Sequence, residues 1–305
     1  MICLWILAIL VVFALGLGHR AVINLQLAKY QRDRLKATCL AKAGINRAIV
    51  ELENEDSTYD SLNDTWSTGK DANNNNIFQD IEIVQNSGES FSVRVTDEDA
   101  KININNAAGS KQLLAALLTE RNIEDADNLA NTIIDWIDEN NTNYRGEAEN
   151  EVFKNQCLTT PEELGLIFEF YYDDEKKVAD NYPAIKDYIS VYTDGQVNIN
   201  TSSPQTLGII AKNINNSSDA VSLAEKIINW RQQAGVSFTQ LEDTTDFERN
   251  LTPQEIVVFT QMKTQLKVNS GYFKIESEGK AGNTSKKITA IYNRANQQVV
   301  YWHEK

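Results

Sequence analysis

The twelve residues from Asp138 to Glu149, Asp-Glu-Asn-Asn-Thr-Asn-Tyr-Arg-Gly-Glu-Ala-Glu, place oxygen-bearing side chains at positions 1, 3 and 5 and a glutamate at position 12. A calcium loop uses this spacing because several hard oxygens must converge on one ion. Position 6, where such loops turn on glycine, is Asn143, a residue that tolerates the left-handed turn better than most. A solvated acidic loop accounts for the same residues, and both readings stay open at this point. A weaker echo is Asp71, Asn73 and Asn75 with Glu82 at position 12, but its flanks lack helical pattern and Asn runs are ordinary in loops. Acid–base and nucleophilic chemistry have little to work with. The two histidines, His19 and His303, lie near opposite ends of the chain, so no Ser-His-Asp, Cys-His or zinc set can be assembled. Cys3 sits in an apolar run, which leaves Cys39 and Cys157 as a possible pair and no CxxC metal motif. Hydrolysis by carboxylates alone needs a paired acid and base in a cleft. The sequence displays no such pair, and no enzyme is expected.

The acidic loop follows a predicted helix, and that helix belongs to an internal repeat. Ile102-Asn103-Ile104-Asn105-Asn106-Ala107 matches Val197-Asn198-Ile199-Asn200-Thr201-Ser202 at an offset of 95, and Leu129-Ala130-x-x-Ile133-Ile134-x-Trp136 matches Leu223-Ala224-x-x-Ile227-Ile228-x-Trp230 at an offset of 94. Two copies of one helical unit are the economical explanation. In each copy the Asn-rich turn is expected to cap the following helix, and Trp136 and Trp230 are expected as equivalent buried core residues. The units resemble helix-hairpin-helix modules, many of which hold a DNA phosphate on a glycine hairpin. The corresponding stretch at 212–220, KNINNSSDA, has no glycine.

Strand patterns flank this helical block. IEIVQ at 81–85 and SFSVRV at 90–95 alternate apolar and polar residues around a turn, a hairpin signal, and comparable runs return at 271–279, 286–293 and 297–304. A sheet begun before residue 96 and finished after residue 270 makes the block between them an insertion. We therefore expect an α+β fold in four parts: a transmembrane and stem helix at 1–53, a first sheet region at 54–96, the helical insertion at 97–268 and a second sheet region at 269–305.

At the N-terminus, Ile2 to Gly18 runs seventeen residues without a charge, about 26 Å of helix and barely enough to cross a bilayer. It continues without Pro or Gly from Ala21 to Ala43, with apolar residues at Ala21, Leu25, Ala28, Leu35, Leu40, Ala43 and Ile49 in helical spacing. A signal peptide would want basic residues before the apolar run and a small-residue cleavage site after it. One long helix, apolar all round in its first third and amphipathic afterwards, is the shape of a pilin stem. The net charge of −14 repels nucleic acid and suits cations or basic partner surfaces.

Several short motifs in order carry a family resemblance. They are Leu4-Trp5 opening the stem, Asp60-Ser61-Leu62 with Trp66, and Thr96-Asp97-Glu98-Asp99 before Ile102-Asn103-Ile104-Asn105. Asp135-Trp136-Ile137-Asp138, Gly146-Glu147-Ala148-Glu149 before Val152-Phe153, Thr160-Pro161-Glu162-Glu163-Leu164 and Val197-Asn198-Ile199-Asn200-Thr201 follow. In that order they resemble the minor pseudopilin K family of type II secretion systems, also called general secretion pathway protein K. The resemblance implies a pilin-like fold, with the long N-terminal helix on an antiparallel sheet, carrying a large, internally repeated α-helical insertion. It implies a single-pass inner-membrane protein anchored through residues 2–18, its C-terminal domain in the periplasm at the pseudopilus tip. There it would initiate assembly and support export of folded proteins across the outer membrane. Minor pseudopilins I and J are the implied partners, prepilin peptidase the processing enzyme, and calcium a structural ion of the helical part, with Asp135, Asp138, Asn140, Glu147, Glu149 and Glu151 as candidate ligands.

Basic residues begin only after the apolar run, at His19, Arg20, Lys29 and Arg32, which by charge alone would keep the C-terminal part cytoplasmic. A leader and the first few mature residues are accordingly expected to be missing from this sequence. No acidic residue occurs in the first eighteen, as suits a tip subunit that need not pair with a preceding one. The alternative is a type IV pilus or competence minor pilin that uses the helical module to bind DNA. Salt-dependent retention on DNA would separate the two.

Overall fold

A computed structural model describes residues 2–55, 58–85, 87–107, 110–138, 153–172, 174–233 and 236–305. The run from Ile2 forms one helix, α1 (Ile2–Asn54, 53 residues), a rod of roughly 80 Å at about 1.5 Å per residue. Up to Arg32 its described side chains are exposed. Beyond that point Asp33, Ala37, Leu40, Ala41, Ile45, Ala48 and Leu52 are buried at three- and four-residue spacing, so they form one face. That face differs from the expected stripe. Leu25 and Leu35 are exposed, while the face that packs alternates Ala37, Ala41 and Ala48 with Leu40, Ile45 and Leu52, the small residues falling where the helix comes closest to the sheet.

After α1, the short helix α2 (Thr65–Thr68) sets the buried Trp66 edge-on to Phe273, with ring centroids 5.2 Å apart. Strand β1 (Ile81–Glu82) then pairs antiparallel with β2 (Ser90–Asp97), whose Phe91, Val93 and Val95 point to the core. At Asp97 the chain leaves the sheet for the helical head.

The first head unit runs β3 (Ile102–Asn103), α3 (Ile104–Ala107), α4 (Lys111–Glu120), α5 (Ala126–Ile137), α6 (Glu163–Tyr172), α7 (Glu175–Ile185) and β4 (Ile189–Ser190). The second runs β5 (Val197–Asn198), α8 (Pro204–Ile214), α9 (Ser218–Arg231), α10 (Thr245–Glu248), α11 (Pro253–Met262) and β6 (Leu266–Lys267). In each unit the opening strand pairs in parallel with the closing one, Ile102 opposite Ile189 and Val197 opposite Leu266. Each also has its own core, one around Leu117, Ile133 and Phe168 and the other around Leu207, Leu223 and Phe259.

The chain returns to the sheet as β7 (Tyr272–Ala281), β8 (Thr284–Asn293) and β9 (Gln298–Glu304). Among the described residues the sheet order is β1-β2-β7-β8-β9, every neighbour antiparallel. β2 and β7 are paired from Ser90 opposite Lys280 to Asp97 opposite Phe273. The head's entry and exit thus lie side by side on adjacent strands. This is a pilin-like fold, a long helix on an antiparallel sheet, with a duplicated helical block spliced between two paired strands.

Two glycines set the closeness of helix and sheet. A Cβ at Gly279 on β7 would fall 2.1 Å from the Ala37 carbonyl oxygen and 2.5 Å from the Ala41 nitrogen, and one at Gly44 on α1 would fall 2.2 Å from Ser277 Oγ. Gly279→Ala and Gly44→Ala should each lower stability by about 1–3 kcal/mol through overpacking, seen as a lower denaturation midpoint. Gly165→Ala, on α6 with nothing within 4 Å, should cost nothing.

Candidate functional site

The Asn-x-Asn turns do more than cap helices. Asn103 Oδ1 accepts the Asn105 amide at 2.9 Å, and Asn198 Oδ1 accepts the Asn200 amide at 2.9 Å. The second asparagine of each pair then clamps a distant loop. Asn105 Nδ2 donates to the Leu158 carbonyl at 3.0 Å while its Oδ1 accepts the Leu158 amide at 2.8 Å. Asn200 does the same to Phe238, at 2.8 Å in both directions. The caps of the long helices are instead Ser110 and Ser203, which accept from the Leu113 and Thr206 amides. The tryptophans correspond less closely than expected. Trp136 is buried, whereas Trp230 is half-buried and packs edge-on to Phe247 at 5.7 Å.

Asp135 and Asp138 stand in the last turn and at the C-cap of α5, Asp135 buried and Asp138 half-buried. Asn140, Glu147, Glu149 and Glu151 lie outside the described residues. Among the described residues no group of three His, Cys, Asp or Glu side chains is placed to hold a metal. Trp136 packs against Phe153 at 5.8 Å and Phe170 at 6.2 Å, so the chain leaving α5 and the chain returning at residue 153 meet on one aromatic cluster. The last turn of α5 has no basic residue. Two carboxylates therefore coincide with the negative end of the helix dipole. The loop at Asp71 is built differently. Asp71 accepts from the Asn73 and Asn75 amides and from Asn75 Nδ2, so it closes its own turn.

The chemistry that joins head to sheet was not singled out from sequence. Asp60 is buried and receives Arg294 in a bidentate pair, Nη1 at 3.0 Å and Nη2 at 2.8 Å, together with the Ser270 amide at 2.7 Å. Asp97, at the end of β2, accepts from the Asp99 amide at 2.8 Å, Asn198 Nδ2 at 3.3 Å, Thr201 Oγ1 at 2.5 Å and Ser270 Oγ at 2.6 Å. Asp99 is fully buried, accepts the Gly271 and Tyr272 amides at 2.7 and 3.0 Å, and is ion-paired to Lys267 at 2.8 Å. Lys267 also reaches Asp194 at 2.9 Å. Asp60, Asp97 and Asp99 were visible only as parts of motifs, and apart from the Asp99 amide these partners of their side chains lie on segments more than a hundred residues away.

Burial raises all three carboxyls above the ordinary range. For Asp60 the Arg294 pair opposes the rise, for Asp99 the Lys267 pair opposes it, and for Asp97 the neighbouring Asp99 charge adds to it. Three buried carboxylates share two cations. The excess negative charge lies on Asp97 and Asp99.

The long helix on an antiparallel sheet defines the protein as pilin-like. No protein-family model and no curated protein matches the sequence. Among solved structures it is similar to a chain of the GspK-GspI-GspJ complex from the type 2 secretion system of enterotoxigenic Escherichia coli, with a TM-score of 0.63 and 18% identity over 92% of this chain and 99% of that one. The fold is GspK-like.

Two measurements probe the junction. Asp60→Ala strands Arg294 in the interior and should cost about 3–5 kcal/mol, whereas Arg294→Met with Asp60→Leu should cost clearly less. For Asp97, a folded-state pKa above the unfolded value means that its contribution is full below the ordinary carboxylate range and is lost as pH rises through the raised value. The melting temperature advantage of the parent over Asp97→Asn should therefore shrink as pH is raised. An advantage that grows instead would show that the ionised carboxylate is the stabilising form.

Proposed function

We propose that the chain is the K-type minor pseudopilin of a type II secretion system, a non-enzymatic assembly protein. Residues 2–18 anchor it in the inner membrane, the sheet and head stand in the periplasm, and it caps the pseudopilus together with minor pseudopilins I and J. It initiates pseudopilus assembly there and supports export of folded proteins after prepilin peptidase has removed a leader. α1 is, among the described residues, a helix long and apolar enough to cross a membrane, which supports the single-pass anchor.

The observation that carries this reading is the position of the head. It is spliced in where β2 and β7 end at Asp97 and Tyr272, beside the C-terminal end of α1, where Tyr292 donates to Glu53 at 2.7 Å. The opposite end of the sheet, at Gly282, faces Asp33 and the exposed part of the stem. The head therefore covers the end of the body farthest from the anchor, as suits a subunit with nothing above it. A sheet-edge or stem-side head would suit an internal subunit.

The acidic loop after α5 is read as a calcium site, with Asp135, Asp138, Asn140, Glu147, Glu149 and Glu151 as the residues that would hold the ion. A bound cation would neutralise the carboxylates at the negative end of α5 and tie the loop to the helix. Binding to the folded state alone would add about 2.7 kcal/mol at a free calcium concentration roughly 100 times the dissociation constant.

Co-expression of the full chain with minor pseudopilins I and J should yield a ternary complex on detergent purification. Absence of either partner argues against the assembly role. Calcium should raise the melting temperature of the parent and chelator should lower it, with the response lost in Asp138→Ala plus Glu149→Ala. An unchanged response in that double variant places the ion elsewhere.

A further inference from the structure

The face of the sheet turned away from α1 changes character under the head. Strand alternation puts Phe273, Ile275, Ala290 and Tyr292 into the core that α1 covers. It turns Lys274, Ile291 and Tyr301, which lie opposite one another across β7, β8 and β9, to the other side. Lower on that side stand the polar Ser92, Arg94, Glu276, Glu278 and Lys287. Ile291 is nevertheless buried. Across from it, over a cleft of about 320 Å³, are Ile189 of β4 and Tyr192, and this volume falls within the roughly 300–1,000 Å³ of small-molecule sites. Tyr192 and Tyr301 approach from the two sides, their ring centroids 6.3 Å apart and their planes tilted by 48°. Tyr182 of α7 also lines the cleft.

Two neighbouring glutamates show how the polar groups are sorted. Glu163 serves the fold, accepting the Thr159 and Thr160 amides at 2.7 and 3.2 Å and Lys154 at 2.7 Å. Glu162 instead lines the cleft and accepts the Tyr182 hydroxyl. Burial, and after it the Glu162 charge, raises the Tyr182 and Tyr192 phenols, so both keep their protons and remain donors. Glu98 is buried and ion-paired to Lys101. Around the whole cleft, Glu98, Glu162 and Asp187 are balanced by Lys101, Lys186 and Lys274.

That balance decides the class of ligand. A small cation or anion gains no net attraction where carboxylates and ammonium groups are equal in number. An apolar ligand would strip water from these groups and return no hydrogen bonds. An extended peptide would find its backbone partners along the edge of β9 and has no need of the cleft. A sugar ring meets every requirement. Its hydroxyls both donate and accept, matching the donors Tyr182, Tyr192 and Lys186 and the acceptors Glu162 and Asp187. Its C–H face suits the electron-rich face of a phenol ring.

We propose that the cleft between the first head unit and the sheet binds a neutral sugar residue, held against Tyr192 and Tyr301 and hydrogen-bonded by Glu162, Asp187 and Lys186. The proposal gives the head a recognition role, and it stands or falls independently of the reading of the chain as a secretion-system subunit.

The test titrates the full chain, in a neutral detergent without a sugar headgroup, by saturation-transfer NMR. The probes are the N-acetylglucosamine trisaccharide and maltotriose, their monosaccharides, and trigalacturonate as the anionic counterpart. At least one neutral sugar should bind and trigalacturonate should not. Tyr301→Ala and Glu162→Gln should each weaken binding about tenfold without lowering the melting temperature. Tyr301→Phe, which keeps the ring, should weaken it less than Tyr301→Ala, and Glu278→Gln, outside the cleft, should leave it unchanged. A trisaccharide bound more tightly than its monosaccharide identifies a glycan chain as the source, and equal binding identifies a free sugar. Failure of every neutral sugar to bind overturns the proposal, as does preference for trigalacturonate or binding that survives both Tyr301→Ala and Glu162→Gln. A cleft that ignores the sugars but takes up an N-acetylated tyrosine tripeptide, with the same loss in both variants, is a peptide site and overturns it too.

Discussion

The buried carboxylates Asp60, Asp97 and Asp99 hold the architecture together because they fix the two connections on which the whole helical block hangs. The head leaves the sheet after Asp97 and returns at Tyr272. Two short connections alone would let so large a block swing. Instead Asp60 accepts the Ser270 amide, and Asp99 accepts the Gly271 and Tyr272 amides, so the returning chain is held by one carboxylate from the segment after α1 and one from just beyond the outgoing strand. Asn198 of the second unit reaches Asp97 and the Asp60 carbonyl. Burying this much charge is expensive, and an apolar junction of the same volume would be as stable or more so. What charge supplies is direction: Arg294 must approach Asp60 in the plane of both groups, which fixes the loop after α1 against the end of β8, and that loop in turn accepts from Asn198 and Ser270 at the base of the head.

Each head unit solves a smaller form of the same problem with asparagine. A side-chain amide both donates and accepts, so Asn105 and Asn200 can mimic a strand partner for one residue of a distant loop, Leu158 in the first unit and Phe238 in the second. Aspartate could not donate and glutamine would reach too far. The duplication has kept this clamp while the loops it holds have diverged. The acidic stretch between Asp138 and Phe153 has no counterpart of similar charge after Trp230, where the chain reads Arg231-Gln232-Gln233-Ala234-Gly235.

The stem, the split sheet and the repeat were legible because each has a period: 3.6 for the helix, two for the strands, and the recurrence of Asn-x-Asn and Leu-Ala-x-x-Ile-Ile-x-Trp for the units. The GspK-like fold agrees with the resemblance carried by those motifs. Periodicity misjudged the packing face of α1, because alanines occur on several faces of the helix and only the sheet, through its contact with Ala37, Ala41 and Gly44, decides which of them packs. The junction was illegible for a different reason. Asp60 and Arg294 are 234 residues apart, and nothing local distinguishes either from a surface charge. Trp66, named in sequence only as part of a motif, is among the most buried side chains because its partner, Phe273, belongs to a strand contributed from the far end of the chain.

β7 connects these parts mechanically. Its Gly279 lets the α1 backbone at Ala37 and Ala41 approach within contact distance, so any displacement of the stem is passed directly to the strand rather than absorbed by flexible side chains. Hydrogen-bonded between β2 and β8 along its length, the strand cannot bend easily. Its first residue, Tyr272, is held by Asp99, and the preceding Lys267 on β6 is paired to that same carboxylate. A path of close backbone contacts, backbone hydrogen bonds and buried ion pairs thus runs from the stem at Ala37 and Ala41 to the second head unit.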